Sequence, residues 1–144
     1  MRPAEVRFYI DADILGLAHV LAGLRDDVTY PGDPGATVRK RIRPPCPIRS
    51  PAVPDKDWIG LVAARGWLII TRDGHIQVHT KELAEVREHS AKMVALDTSQ
   101  AHGTFDQLEI VMCRWRQIVD LYEQPGPFNY VASRTNLRRI SLST

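Results

Sequence analysis

The sequence predicts an α/β fold in which a mostly parallel sheet carries helices on both faces. Two observations predict it. Short β-branched or apolar runs (VRFYI, WLIIT, MVAL) alternate with stretches whose apolar residues return every three or four positions. WLIIT and MVAL are also apolar without alternation, the pattern of strands covered on both sides.

Taken in order, residues 6–10 read as a strand, because β-branched and aromatic residues suit a pleated, half-buried surface. Beyond it Ile14, Leu17, Ala18, Leu21 and Leu24 form one apolar helix face, with Asp13 suited to the N-cap. A short strand at 28–30 closes a β-α-β unit. Residues 31–54 hold seven of the ten prolines and read as an irregular loop inserted into one domain spanning 1–144. Asp55 can cap the next helix, whose face is Trp58, Leu61 and Val62, and Gly66 stops it. Residues 67–71 form the following strand, 80–88 a polar helix and 93–96 another buried strand. Thr104 and Gln107 read as a capping box. The helix behind them places Leu108, Val111, Met112, Trp115, Ile118, Val119 and Tyr122 on one face. Pro125-Gly126-Pro127 ends that helix. A strand at 128–132 and a basic tail with Arg134, Arg138 and Arg139 complete the chain.

A chain of 144 residues can bury a core unaided. With 44% hydrophobic and 25% charged residues it has the balance of an ordinary soluble domain. No apolar run approaches the roughly 18 residues of a membrane span. The opening MRPAEVRFYIDAD meets an acid before an apolar leader core could form, so a cytoplasmic location is expected. Cys46 and Cys113, the only cysteines, form neither a disulfide framework nor a zinc site. Charge is local. Arg39, Lys40, Arg41, Arg43 and Arg49 in the proline-rich segment face one acid, Asp33, while the remaining chain is slightly acidic.

Ligands of open parallel sheets bind beyond the carboxyl ends of the strands. Asp11 follows the first strand, Asp73 follows WLIIT, and Asp55 and Asp57 begin the helix leading into WLIIT. Carboxylates gathered in one place repel unless a cation lies between them, and oxygen ligands suit Mg²⁺ or Mn²⁺. Such an ion activates water and offsets charge on a phosphodiester. Helix capping by Asp13, Asp55 and Asp57, and solvated turns at Asp11 and Asp73, are the competing readings. His75 and His79 lack the helix or cysteine partners of a usual zinc site.

The ordered set FYIDADILG, PDKDWIGLVAARGWLIITRD and the following His75-Ile76 resembles the PIN-like nucleases, especially the compact VapC-type toxins of type II toxin–antitoxin pairs. The resemblance runs from Val6 to about Leu96 and continues in PGPFNYVASR. It implies a three-layer α/β/α, Rossmann-like domain that binds Mg²⁺ or Mn²⁺ through Asp11, Asp55 and Asp73 and cleaves RNA. Asp57 would compete with Asp55 or support it, and Thr71 and Asp13 would assist. Arg39, Lys40, Arg41, Arg43 and Arg72 would grip the RNA backbone. Family members often carry a further acid, usually Glu, upstream of the D-x-D-W region. Here the basic segment offers only Asp33, so Asp13 or Glu82 replaces that acid, or the set is incomplete. The expectation is a metal-dependent endoribonuclease, the toxin of a pair, with RNA as substrate, a cognate antitoxin as partner and room for a homodimer. The rivals are a non-catalytic PIN-like module that binds RNA or protein, and a small metal-dependent phosphatase.

Overall fold

A computed structural model describes residues 2–72 and 80–142. The central sheet has six strands in the order β3-β2-β6-β7-β8-β9. These are β2 (Phe8–Ile10), β3 (Val28–Thr29), β6 (Leu68–Thr71), β7 (Lys92–Leu96), β8 (Phe128–Ala132) and β9 (Leu137–Ile140). All neighbours are parallel except β8 and β9, so the expected mostly parallel sheet is present.

Period-two alternation sends successive side chains to opposite faces of this sheet. Phe8, Ile10, Leu68, Ile70, Val94 and Leu96 pack into one buried cluster with α1 (Leu15–Leu24) and α4 (Thr104–Tyr122). Tyr9, Ile69 and Met93 pack into a second with α2 (Asp55–Ala64) and α3 (Thr80–Glu88). The layers are therefore α/β/α. Each fully buried aliphatic side chain contributes roughly 1.5–3 kcal/mol relative to exposure. Aromatic contacts tie helices to strands on both faces, with ring centroids 4.8 Å apart for Phe8 and Trp115 and 5.1 Å for Tyr9 and Trp58.

Several elements differ from the sequence reading. The proline-rich segment is not an irregular loop throughout. It contains a hairpin, β4 (Ala36–Val38) and β5 (Arg41–Arg43), which joins β1 (Arg2–Pro3) in a second sheet of order β1-β5-β4. Cys46 and Ile48 from the same segment are buried in the second cluster, so it contributes to the core. The Cys46 thiol is pushed up by that burial. Asp33 and Arg43 form a buried ion pair at 2.7 Å, their side chains only 1% and 3% exposed. Thr29 Oγ1 and the Gly35 N–H also donate to Asp33, and Arg43 Nη1 donates to the Ala22 carbonyl. Segment and α1 are thus joined by a satisfied polar network.

Capping differs as well. Asp11, not Asp13, caps the 3-10 turn Ala12–Ile14 that precedes α1. Pro54 and Gly103 occupy the caps of α2 and α4, so Asp55 and Thr104 are the first helical residues. Gln107 donates to the Ala101 carbonyl in place of closing a capping box. Gly66 ends α2 as expected, at φ +74°, a conformation that side chains with a Cβ rarely adopt. The basic tail folds back as β9, where exposed Arg138 and Arg139 discourage further strand pairing.

Candidate metal and phosphate site at the carboxyl edge

The parallel register of β2 on β6 aligns Ile10 with Ile70, so the residues leaving both strands emerge at one edge. Asp11 leaves β2 there, and its backbone N–H still donates to the Ile70 carbonyl at 2.9 Å. Its carboxylate is held by the Ala12 N–H at 2.6 Å and by Thr71 Oγ1 at 3.0 Å. The 3-10 turn then curls the chain so that Asp13 returns toward β6. Thr71 Oγ1 lies 3.2 Å from Asp13 Oδ2, and the Arg72 N–H donates to the same oxygen at 3.2 Å.

Thr71, fully buried at the end of β6, thus stands between two carboxylates. Its hydroxyl carries one proton and can donate to one of them at a time. The carboxylates can be no further apart than those two bonds laid end to end. Two negative charges at that range favour a cation or a proton between them, and an all-oxygen donor set favours a hard divalent ion. The residues present therefore fit Mg²⁺ or Mn²⁺.

Arg72 Nη1 donates to the carbonyls of Ala101 and His102, at 3.2 and 3.1 Å. Carbonyl acceptors leave the guanidinium its full charge, and they fasten the end of β6 to the loop before α4. Gly16 lets α4 start close by. A Cβ there would sit 2.3 Å from Thr104 Oγ1, so the first turn of α1 can meet α4 only without a side chain at that position.

Asp55 and Asp57 lie in the first turn of α2. Because α2 ends just before β6 begins, it runs back along the sheet and starts at the edge carrying Thr71. Asp57 is exposed, and the assignment of the Asp55 side chain lies outside the described part of the structure. Asp73, His75 and His79 lie outside the described residues, as does the side chain of Glu82. Of the basic residues, Arg43 is corrected: its buried pairing with Asp33 withdraws it from any RNA contact. Arg39 and Lys40 are exposed at the hairpin turn, and Arg41 lies 3.6 Å from Asp26.

Asp97, absent from the sequence-derived set, leaves β7 at the same edge, where Oδ1 accepts from the Ser99 N–H and hydroxyl. Its signal was the one that marks Asp11, an acid directly after a buried strand. Glu85 and Glu88 on α3 and His89 in the turn after it also stand close enough to share an ion, but at the opposite end of the sheet. Glu85 and His89 already form an i,i+4 contact at 3.1 Å.

A family model described as PIN like domain matches residues 6–98, from β2 to just beyond β7. No curated protein and no solved structure matches the chain. The matched span includes Asp11, Asp13, Thr71 and Arg72. The chain therefore belongs to the PIN-like domain family, whose members are generally nucleases.

Proposed function

We propose that this protein is a metal-dependent endoribonuclease that acts as the toxin of a toxin–antitoxin pair. The observation that carries the nuclease reading is the convergence of Asp11 and Asp13 on the Thr71 hydroxyl, at the edge where the chain continues into Asp73. Asp11, Asp55 and Asp73 would hold Mg²⁺ or Mn²⁺, with Asp13 and Asp57 in support. The bound ion would supply a Lewis acid for hydrolysis of a phosphodiester.

The chain's own residues do the rest. The Ala12 N–H and Thr71 Oγ1 fix the Asp11 carboxylate, and the Arg72 N–H fixes Asp13, so the carboxylates need little reorganisation when substrate arrives. Arg72 places a positive charge beside the edge, where it would attract the RNA backbone without selecting sequence. The toxin reading is carried by the likeness of FYIDADILG and WLIITRD to the compact toxin branch, and it implies an antitoxin partner and a cytoplasmic location.

The test is cleavage of total cellular RNA with Mn²⁺, Mg²⁺ or chelator. Wild type should cut only with metal. Asp11→Asn and Asp73→Asn should lose at least roughly a hundredfold, the upper end of what loss of an outer-shell partner costs. Thermal melting gives a readout independent of activity: Mn²⁺ should raise the midpoint of wild type and leave Asp11→Asn unmoved. Asp11→Asn should itself melt slightly higher without metal, because it removes a repulsion. Metal-dependent cleavage no greater in wild type than in the variants would overturn the enzyme and leave a binding module.

A further inference from the structure

α4 has two apolar sides. Ile110, Val111 and Ile118 are buried against the sheet, whereas Phe105 and Met112 on another side are 79% and 68% exposed. Leu24 at the end of α1 is 60% exposed. Between the helices lies a groove of about 390 Å³ lined by Leu21, Leu24, Leu108, Val111, Met112 and Trp115. A second depression of about 290 Å³ shares Leu108 and Met112 and continues along α4 to Phe105. From Phe105 to Trp115 this apolar track covers about 15 Å of helix, the length of three turns of a second helix laid beside it.

The rim is basic. Arg25, Arg39 and Arg116 border the groove. Arg25 is engaged by Asp27 and lies over the Trp115 ring, 4.8 Å from its centroid. Among the described residues, Arg39, Lys40 and Arg116 have no carboxylate within ion-pair distance. The nearby acid Glu109 is held by Arg134. Arg39 and Lys40 form the two-residue turn of the β4–β5 hairpin at φ +52° and +66°. Such turns favour Asn-Gly, and a left-handed backbone costs other residues roughly 1–2 kcal/mol each. The fold bears that strain while presenting Arg39 at the groove, with Lys40 next to it in the turn.

We infer that the α1–α4 groove is the docking site of a protein partner that contributes an amphipathic, acidic helix. Its apolar side lies between Leu24 and Met112, and its carboxylates meet Arg39, Lys40 and Arg116. The chemistry discriminates against other occupants. A two-fold pairing with a second copy would bring the same basic rim against itself. Single-stranded nucleic acid would need aromatic stacking platforms, and this floor is mainly aliphatic. Helix-in-groove recognition uses the combination found here, apolar anchors on one face with complementary charge at the flanks. The assignment stands whether or not the carboxyl edge cuts RNA.

The full chain can be titrated, by fluorescence anisotropy, into labelled helical peptides with leucines at three- and four-residue spacing. Their flanks carry glutamate, glutamine or lysine. The glutamate peptide should bind tightest and weaken as salt rises. Met112→Glu and Phe105→Glu, both at exposed positions, should each weaken it roughly tenfold. Arg39→Glu combined with Arg116→Glu should reverse the preference toward the lysine peptide. Circular dichroism and melting should match wild type in each variant. Equal binding of acidic and basic peptides, no binding of any peptide, or binding indifferent to Met112→Glu would overturn the assignment. So would a concentration-dependent dimer in sedimentation that Met112→Glu abolishes, which would give the groove to a second copy. Oligouridine binding lost on charge reversal but kept in Met112→Glu would give it to nucleic acid.

Discussion

Thr71 shows how one hydroxyl can organise an acidic edge. It is buried, sits between Asp11 and Asp13, and its hydroxyl reaches both. Valine there would keep the shape and remove the proton, so that neither carboxylate would receive this hydroxyl. Thr71→Val should lower metal-dependent cleavage and apparent Mn²⁺ affinity together, by roughly ten- to a hundredfold. Thr71→Ser, which restores the hydroxyl, should recover most of both. Mn²⁺ titration of melting, alongside cleavage rates, checks the pair. Affinity unchanged in the valine variant would reduce Thr71 to a packing residue. Asp13 illustrates a different point about reading sequence. Its position suggests a helix cap, but the cap belongs to Asp11 and the 3-10 turn returns Asp13 to β6. Only the turn geometry distinguishes those roles, and nothing in the string DADIL specifies it.

At the level of elements, the hairpin depends on one ion pair. Asp33 receives Arg43, Thr29 and the Gly35 N–H, and Arg43 reaches on to the Ala22 carbonyl in α1. Truncating one member strands the other charge, so Asp33→Ala should cost about 3–5 kcal/mol. Replacing both by apolar residues of similar volume should cost much less. Urea unfolding of the single and double variants measures the difference. Elements with strong periodicity were legible in the sequence: α3, β8 and the buried strands β6 and β7 match the reading to within a residue. The hairpin was not, because its three-residue strands lie among prolines and its pairing partner β1 is distant in sequence. β9 was hidden for a related reason, since its pattern is basic and only the antiparallel register on β8 makes it a strand. The carboxyl edge was legible in Asp11 and Thr71, which end apolar runs. Met112, placed by its spacing on the apolar face of its helix, is exposed because α4 is wider in its apolar pattern than the sheet can cover.

Across the whole molecule, chemistry is separated by charge. The acidic edge lies at the start of α1 and the basic hairpin packs on its other end, where Arg43 meets the Ala22 and Arg25 carbonyls. Ten helical residues, about 15 Å, lie between them. That exceeds the screening length of roughly 8 Å at physiological salt, so two surfaces of opposite sign can coexist with a net charge of only +2. The sheet divides the interior as well, with Leu17 on one side and Ile59 on the other, each buried in its own cluster. Such a partition has a thermodynamic consequence. Leu17 and Ile59 belong to separate clusters, so the destabilisations of Leu17→Ala and Ile59→Ala should sum to within about 0.5 kcal/mol, whereas substitutions at the touching rings of Phe8 and Trp115 should not. Strong non-additivity across the sheet would mean that the two layers relax as one. Additivity would mean that mutational tolerance is set layer by layer, so that damage to the α2–α3 side leaves the margin of the α1–α4 side intact.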